Sequence, residues 1–133
     1  MTLNSIKIAL IEDEYNLQNM YRFKLELEGF SVKIAGNGLE GLHLIEEFKP
    51  HLVLLDLRMP IMSGEEMLAR LREHEWAGDI RVIILTNISK NEAPQSLRFL
   101  NVDRYIVKAH STPGQVVEVI CEVLNLDLAK RPA

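Results

Sequence analysis

Short runs rich in Ile, Val and Leu alternate along this chain with longer segments of helical period, and that alternation limits the fold more than any other feature. The short runs are Ile6–Ile11, Ser31–Ala35, Leu52–Asp56, Arg81–Thr86 and Arg104–Val107. Strand-sized runs separated by helix-sized segments predict a parallel sheet wrapped by helices. The third and fourth runs are almost continuously apolar, which predicts strands buried on both faces. Between the runs, Leu17, Met20, Phe23 and Leu27 recur at helical spacing, as do Val116, Val119, Ile120 and Val123 near the C-terminus. Both stripes are expected to face the sheet. Three helix starts carry capping-box spacing: Ser63 with Glu66, Ser89 with Glu92, and Thr112 with Gln115, the last followed by Pro113 where a first helical residue tolerates proline. Gly29 marks the end of the first helix.

Five strands alternating with five helices predict an α/β fold, a doubly wound parallel sheet with helices on both faces. The flavodoxin-like order 2-1-3-4-5 is one of its two common arrangements. A chain of 133 residues holds one such domain. It is expected over residues 1–125, with 126–133, ending in Lys130-Arg131-Pro132-Ala133, as a tail or the start of a linker. The formal charge of -4 leaves no basic footprint, which argues against direct nucleic-acid binding. The first apolar run is short and ends in Glu12-Asp13-Glu14, so it is neither a signal peptide nor a membrane span. A lone Cys121 cannot form an internal disulfide, and a reducing cytoplasm is the expected location.

In an open parallel sheet the ligand site lies beyond the carboxyl ends of the strands, where the strand order reverses. The first strand ends in Glu12-Asp13, the third in Asp56, the fourth in Thr86, and the fifth runs into Lys108. In the order 2-1-3-4-5 the first and third strands are neighbours, so Asp13 and Asp56 are expected to face each other. Carboxylates at close range repel unless a cation or a proton relieves them. Magnesium suits a solvent-open site of two or three carboxylates that also receives phosphate oxygens. An aspartate can act as a nucleophile toward phosphorus, with catalysis coming mostly from positioning and charge neutralisation. In that chemistry Asp56 attacks, Lys108 supplies a point charge for phosphoryl oxygens, and the Thr86 hydroxyl donates to another of them.

These residues also resemble a known family. Ile8-Ala9-Leu10-Ile11-Glu12-Asp13-Glu14 is similar to the first strand and acidic pair of the receiver domains of two-component response regulators, which include the single-domain chemotaxis regulator. Asp56-Leu57-Arg58-Met59-Pro60 followed by Gly64 resembles the family's phospho-acceptor loop, and Leu85-Thr86 and Tyr105-Ile106-Val107-Lys108 match its switch threonine, switch aromatic and lysine. The resemblance implies that Glu12, Asp13 and Asp56 hold Mg2+ together with the backbone carbonyl of Arg58. It also implies that Asp56 receives phosphate from a histidine kinase or phosphotransfer protein. The chain would then be a switch rather than an enzyme, catalysing at most its own phosphorylation and dephosphorylation. Its output would be altered binding of a downstream effector protein or output domain through residues 93–123, as Thr86 moves inward and Tyr105 turns in. A phosphorylation-dependent homodimer through the fourth helix, fifth strand and fifth helix is compatible with this reading, although no strong apolar patch marks it.

Two positions depart from the family pattern: Ala109 stands where a proline in a cis bond is common, and Asn87 where a small residue is usual. A cis bond before alanine costs about 2.5 to 4 kcal/mol, so a trans loop or visible strain is expected there. Asn87 is placed to narrow access for a phosphodonor or water. The competing reading is a phosphorylation-independent interaction module that keeps the fold without efficient chemistry. A third, a small-molecule phosphotransferase, lacks any segment for a second substrate pocket or lid. Gly36-Asn37-Gly38-Leu39-Glu40-Gly41 spells a dinucleotide fingerprint but follows the second strand rather than the first, and a turn plus a helix start accounts for it.

Overall fold

The computed structural model describes residues 6–126. Five parallel strands form one sheet in the order β2-β1-β3-β4-β5. They are β1 (Lys7–Ile11), β2 (Ser31–Ala35), β3 (Leu52–Leu55), β4 (Arg81–Thr86) and β5 (Arg104–Val107). The third strand stops one residue earlier than expected, leaving Asp56 just beyond its end. As predicted, β3 is buried throughout and β4 everywhere except Arg81. Alternation along the central strands sorts the core into two layers. Ala9, Ile11, Val53, Leu55, Val82 and Ile84 point to one face and pack with Ile45, Met67, Leu68 and Leu71. Ile8, Leu10, Leu52, Leu54, Ile83 and Leu85 point to the other and pack with Tyr21, Leu25, Val116 and Ile120.

Four α-helices cover these faces: α1 (Tyr15–Leu27), α2 (Gly38–Phe48), α3 (Gly64–Leu71) and α4 (Pro113–Val123). One of the five expected helices, the fourth in chain order between β4 and β5, is absent. Its segment forms two short 3-10 stretches, Lys90–Glu92 and Gln95–Phe99, and the Ser89 side chain makes no cap bond. Pro94 is the physical reason. It lacks the N–H a helix interior needs, and it drives the preceding residue into extended geometry, seen at Ala93 with φ -66 and ψ 148. Of the other two boxes, Thr112 and Gln115 satisfy each other reciprocally, whereas Ser63 supplies one half, accepting from Glu66 N.

The α1 stripe is a second correction. Phe23 is 70% exposed, Leu27 57% and Met20 40%, whereas Tyr21 and Leu25 are buried against the sheet. At 3.6 residues per turn, Leu17, Tyr21, Leu25 and Glu28 share one side of the helix, and the exposed trio lies about a third of a turn away. Two apolar rows compete on this helix, and the one through Tyr21 and Leu25 packs on the sheet while Met20, Phe23 and Leu27 face outward. Near the C-terminus the reading holds, with Val116, Ile120 and Cys121 buried and Val119 and Val123 half-buried. Gly29, at φ 105, closes α1 in the left-handed region that favours glycine, with Phe30 N–H returning to Leu25 O at 3.1 Å. Asn125 does the same for α4, and Leu126 N–H reaches Cys121 O at 2.8 Å. The rest of the expected tail, from 127 onward, lies outside the described residues.

Candidate functional site

The carboxyl edge of the sheet brings Glu12, Asp13, Asp56, Arg58, Thr86 and Lys108 around one open cleft of about 500 Å³. Topology does this without any long loop: β1 and β3 are adjacent, and Asp56 N–H bonds to Ile11 O at 3.0 Å, which fixes the residue after β3 beside the end of β1. One carboxylate oxygen from each of Glu12, Asp13 and Asp56 lies within 4.8 Å of the others. The expected pairing of the first and third strand ends is therefore present, with Glu12 and Asp56 buried and Asp13 exposed.

Lys108 supplies the opposing charge. Its Nζ donates to Glu12 Oε1 at 2.5 Å and to Asp56 Oδ2 at 2.9 Å, with all three side chains nearly out of contact with solvent. Burial pulls the lysine down, but the bonds and attraction from Glu12 and Asp56 outweigh it and hold the ammonium above its ordinary value. Glu12 shows the opposite balance. Burial lifts its carboxyl above the ordinary value, with repulsion from Asp56 adding to it, although bonds from Lys108 and the Glu14 N–H act the other way. Three carboxylates thus meet one ammonium, and such a donor set fits a further hard cation.

The acceptor loop between β3 and α3 is fixed at several points. Gly64 N–H bonds to Leu57 O at 3.0 Å, and a Cβ at Gly64 would overlap the Asp56 carbonyl oxygen. Arg58 N–H reaches Asp56 Oδ1 at 3.4 Å. Gly38 N–H bonds to Met62 O at 3.0 Å, and a Cβ there would sit 2.6 Å from the same oxygen. A Cβ at Gly41 would sit 2.8 Å from Met67 Sδ. Two glycines of the apparent dinucleotide fingerprint are therefore packing residues that let α2 approach the acceptor loop and α3.

Thr86 is buried at the end of β4, with its hydroxyl 3.5 Å from Ile88 N. Tyr105 is half-buried, and its hydroxyl donates to Ile88 O at 2.7 Å. Burial, followed by repulsion from Asp56 and Glu92, raises the Tyr105 phenol above its ordinary value. Lys108 is followed by a trans peptide, because no cis bond occurs among the described residues. A second cleft, about 700 Å³, opens where the missing helix would lie and is lined by Ala93, Pro94, Leu97, Arg98 and Tyr105.

Two contributors, Gln18 and Arg72, were not legible in the sequence, and a third, Asn87, was expected only to narrow access. Gln18, on the first turns of α1, donates to Glu12 O at 2.5 Å and steadies the acidic strand end. Arg72 donates to Leu100 O, Ala77 O and Asn101 O, clamping the approach to β5. Asn87 Oδ1 accepts from Ala109 N at 3.2 Å. None of these bonds falls in a spacing pattern: Arg72 to Leu100 and Asn101 and Asn87 to Ala109 join segments remote in sequence, and Gln18 reaches back six residues across the end of β1. Of the histidines, His51 accepts the Lys7 N–H and His74 stacks on Trp76, in line with packing roles for both.

A doubly wound sheet with a lysine-bridged acidic cluster at its switch point defines a class of open-sheet domain that receives its ligand at the carboxyl edge. The sequence matches the family model described as response regulator receiver domain over residues 8–120. It is 36% identical over 115 residues to the phosphate regulon transcriptional regulatory protein PhoB of Rhizobium meliloti, covering 85% of this chain and 50% of that protein. It is 31% identical over 119 residues to the chemotaxis protein CheY of Halobacterium salinarum, covering 90% of this chain and 97% of that one. The solved structure of a CheY-like response regulator receiver domain protein from Methanospirillum hungatei superimposes with a TM-score of 0.80 at 30% identity, covering 90% and 94% of the two chains. The chain belongs to the response regulator receiver domain family. It spans half the length of the PhoB relative and nearly all of the CheY relative. Among the described residues no helix is long and apolar enough to cross a membrane.

Proposed function

We propose that this chain is a phospho-accepting signalling switch of the cytoplasm, in which Asp56 takes a phosphoryl group from a histidine kinase or phosphotransfer histidine and partner binding changes as a result. The observation that carries the reading is the convergence of Glu12, Asp13, Asp56 and Lys108 on one cleft at the switch point of the sheet. Glu12, Asp13, Asp56 and the Arg58 carbonyl would hold Mg2+, which would neutralise charge on the incoming phosphoryl oxygens. An Asp56 carboxylate oxygen forms the new O–P bond as the P–N bond of the phosphohistidine breaks, and the bonding pair returns to the imidazole nitrogen, which takes a proton from solvent. Lys108 exchanges a carboxylate partner for a phosphoryl oxygen. The buried Thr86 hydroxyl is one hydrogen-bond length from the loop N–H it would leave on turning toward the phosphate.

The gain of roughly -1.5 to -2 charge and three acceptor oxygens is the input to the switch. Its output would pass through Tyr105 and the segment after Thr86 to an effector protein or output domain. Leu126, the first residue of the expected tail or linker over 126–133, packs on the core. The direct test is intact mass after incubation with Mg2+ and acetyl phosphate, or with a phosphorylated histidine donor, beside an Asp56→Asn control. A phosphate-sized gain in the wild type alone is expected. No gain from either donor, with the fold intact, would leave a phosphorylation-independent interaction module as the function.

A further inference from the structure

We propose that Asn87 is a positioning residue, holding the turn that carries Lys108 by accepting a hydrogen bond from the Ala109 backbone N–H. Asn87 directly follows Thr86 at the end of β4, and Ala109 directly follows Lys108, which itself follows the end of β5. The two strands are neighbours, with Thr86 in register with Val107, so the two loops leave the sheet side by side. Asn87 Oδ1 spans the gap at 3.2 Å. The bond exists because residue 109 is not a proline: an alanine there keeps its N–H, and an amide side chain at 87 has the reach and the acceptor to meet it. The two positions at which the chain departs from the family pattern are thus bonded partners.

The turn needs such a tie. It is a single 3-10 turn, Lys108–His110, closed by Ser111 N–H to Lys108 O at a long 3.4 Å. From it a flexible four-carbon stem must place one ammonium within bonding distance of two carboxylates, which a wandering backbone anchor would not allow. The tie also joins the chain neighbours of Thr86 and Lys108. Displacement of the β4 end is therefore felt at the lysine turn, through one bond that is exposed and easily broken.

This inference rests on the phospho-acceptor reading only for what Lys108 is held to do, so its test uses the protein without metal or phosphodonor. Amide hydrogen exchange at Ala109 and the NMR signal of the Lys108 ammonium, which persists while its protons are held by acceptors, are compared across variants. Asn87→Leu removes the acceptor at similar size, and Ala109→Pro removes the donor. Asn87→Asp keeps an acceptor oxygen in place. Exchange at Ala109 should rise about fivefold in Asn87→Leu, as expected for losing one exposed hydrogen bond, and stay near wild type in Asn87→Asp. The Lys108 signal should weaken in Asn87→Leu and in Ala109→Pro, and recover in Asn87→Asp. Unchanged Ala109 exchange in Asn87→Leu would overturn the bond. Faster Ala109 exchange in Asn87→Leu, with the Lys108 signal intact in both disrupting variants, would overturn its positioning role.

Discussion

Two segments of this molecule begin with the same local signal and end differently. Each follows a strand at the carboxyl edge, and each carries Ser-x-x-Glu: Ser63 to Glu66 after β3, and Ser89 to Glu92 after β4. The first opens an eight-residue helix, with Ser63 Oγ accepting Glu66 N–H at 3.2 Å. The second yields only 3-10 turns. A cap satisfies the first orphan N–H groups of a helix but does not decide whether the helix continues. Met67, Leu68 and Leu71 bury an apolar row behind Ser63, whereas Leu97 alone is buried in the two turns after Ser89 and Phe99 is 83% exposed. Proline sharpens the contrast, since Pro60 precedes the first cap and Pro94 falls inside the second segment.

The same contrast separates an anchored region from a loosely held one. The acceptor loop is pinned by Gly64 and Gly38 at backbone contact distance. After Thr86, the ties include the Ile88 N–H on the Thr86 hydroxyl, the Tyr105 hydroxyl on Ile88, Asn87 on Ala109, a Ser96–Glu65 hydrogen bond, the burial of Leu97 and partial packing of Ile88 and Ala93, until Arg72 clamps Leu100 and Asn101. Regions with few buried contacts open at low free energy, and switching elements are drawn from them.

The largest effect should come from the anchored side. Gly64→Ala forces a methyl group into the Asp56 carbonyl and should cost about 4 kcal/mol in urea unfolding, near the upper end of overpacking costs. A cost near 1 kcal/mol would mean that the loop can shift and is not pinned. Lys108→Ala should cost about 3 kcal/mol at neutral pH, because it strands buried carboxylates without their partner. The sign with pH follows from the raised lysine value. While Glu12 and Asp56 are ionised, its contribution is complete below the ordinary value of 10.5 and is lost as pH rises through the higher folded-state value, so going up from neutral pH the gap between wild type and variant should persist until that alkaline range. A gap that closes already near pH 8 would contradict the pairing.

The smaller effects come from the caps themselves. Pro94→Ala should raise the helical circular dichroism signal of the second segment and change stability by about 1 kcal/mol or less; no gain in helix would show that missing core contacts, not proline, set the outcome. Ser63→Ala should cost about 1 kcal/mol, while Ser89→Ala should stay within about 0.5 kcal/mol of wild type. Equal costs would erase the distinction between the two boxes.

The same reasoning explains what was legible in the sequence. Strand positions and the acidic edge could be read directly, because continuous apolar runs and their polar ends are local in the chain. The strand order came from a choice between common arrangements, which the structure resolves. The α1 face was misread because Met20, Phe23 and Leu27 form as regular a row as the one that packs, and only tertiary contact with the sheet selects between them. The missing helix was misread because a cap was weighed without the proline five residues beyond it. Gln18 and Arg72 were invisible, and Asn87 was noticed only as an obstacle at the entrance, because each meets a backbone group at no fixed helical or strand spacing.

The central claim is that a phosphate on Asp56 is felt in the loosely held segment and not in the anchored one. Peptide-level hydrogen exchange before and after phosphorylation, with Asp56→Asn treated identically, tests it most directly. Changed protection across residues 87–107, with residues 64–71 unaltered and no response in Asp56→Asn, is the predicted result. A change confined to residues 64–71, or one that persists in Asp56→Asn, would contradict the account.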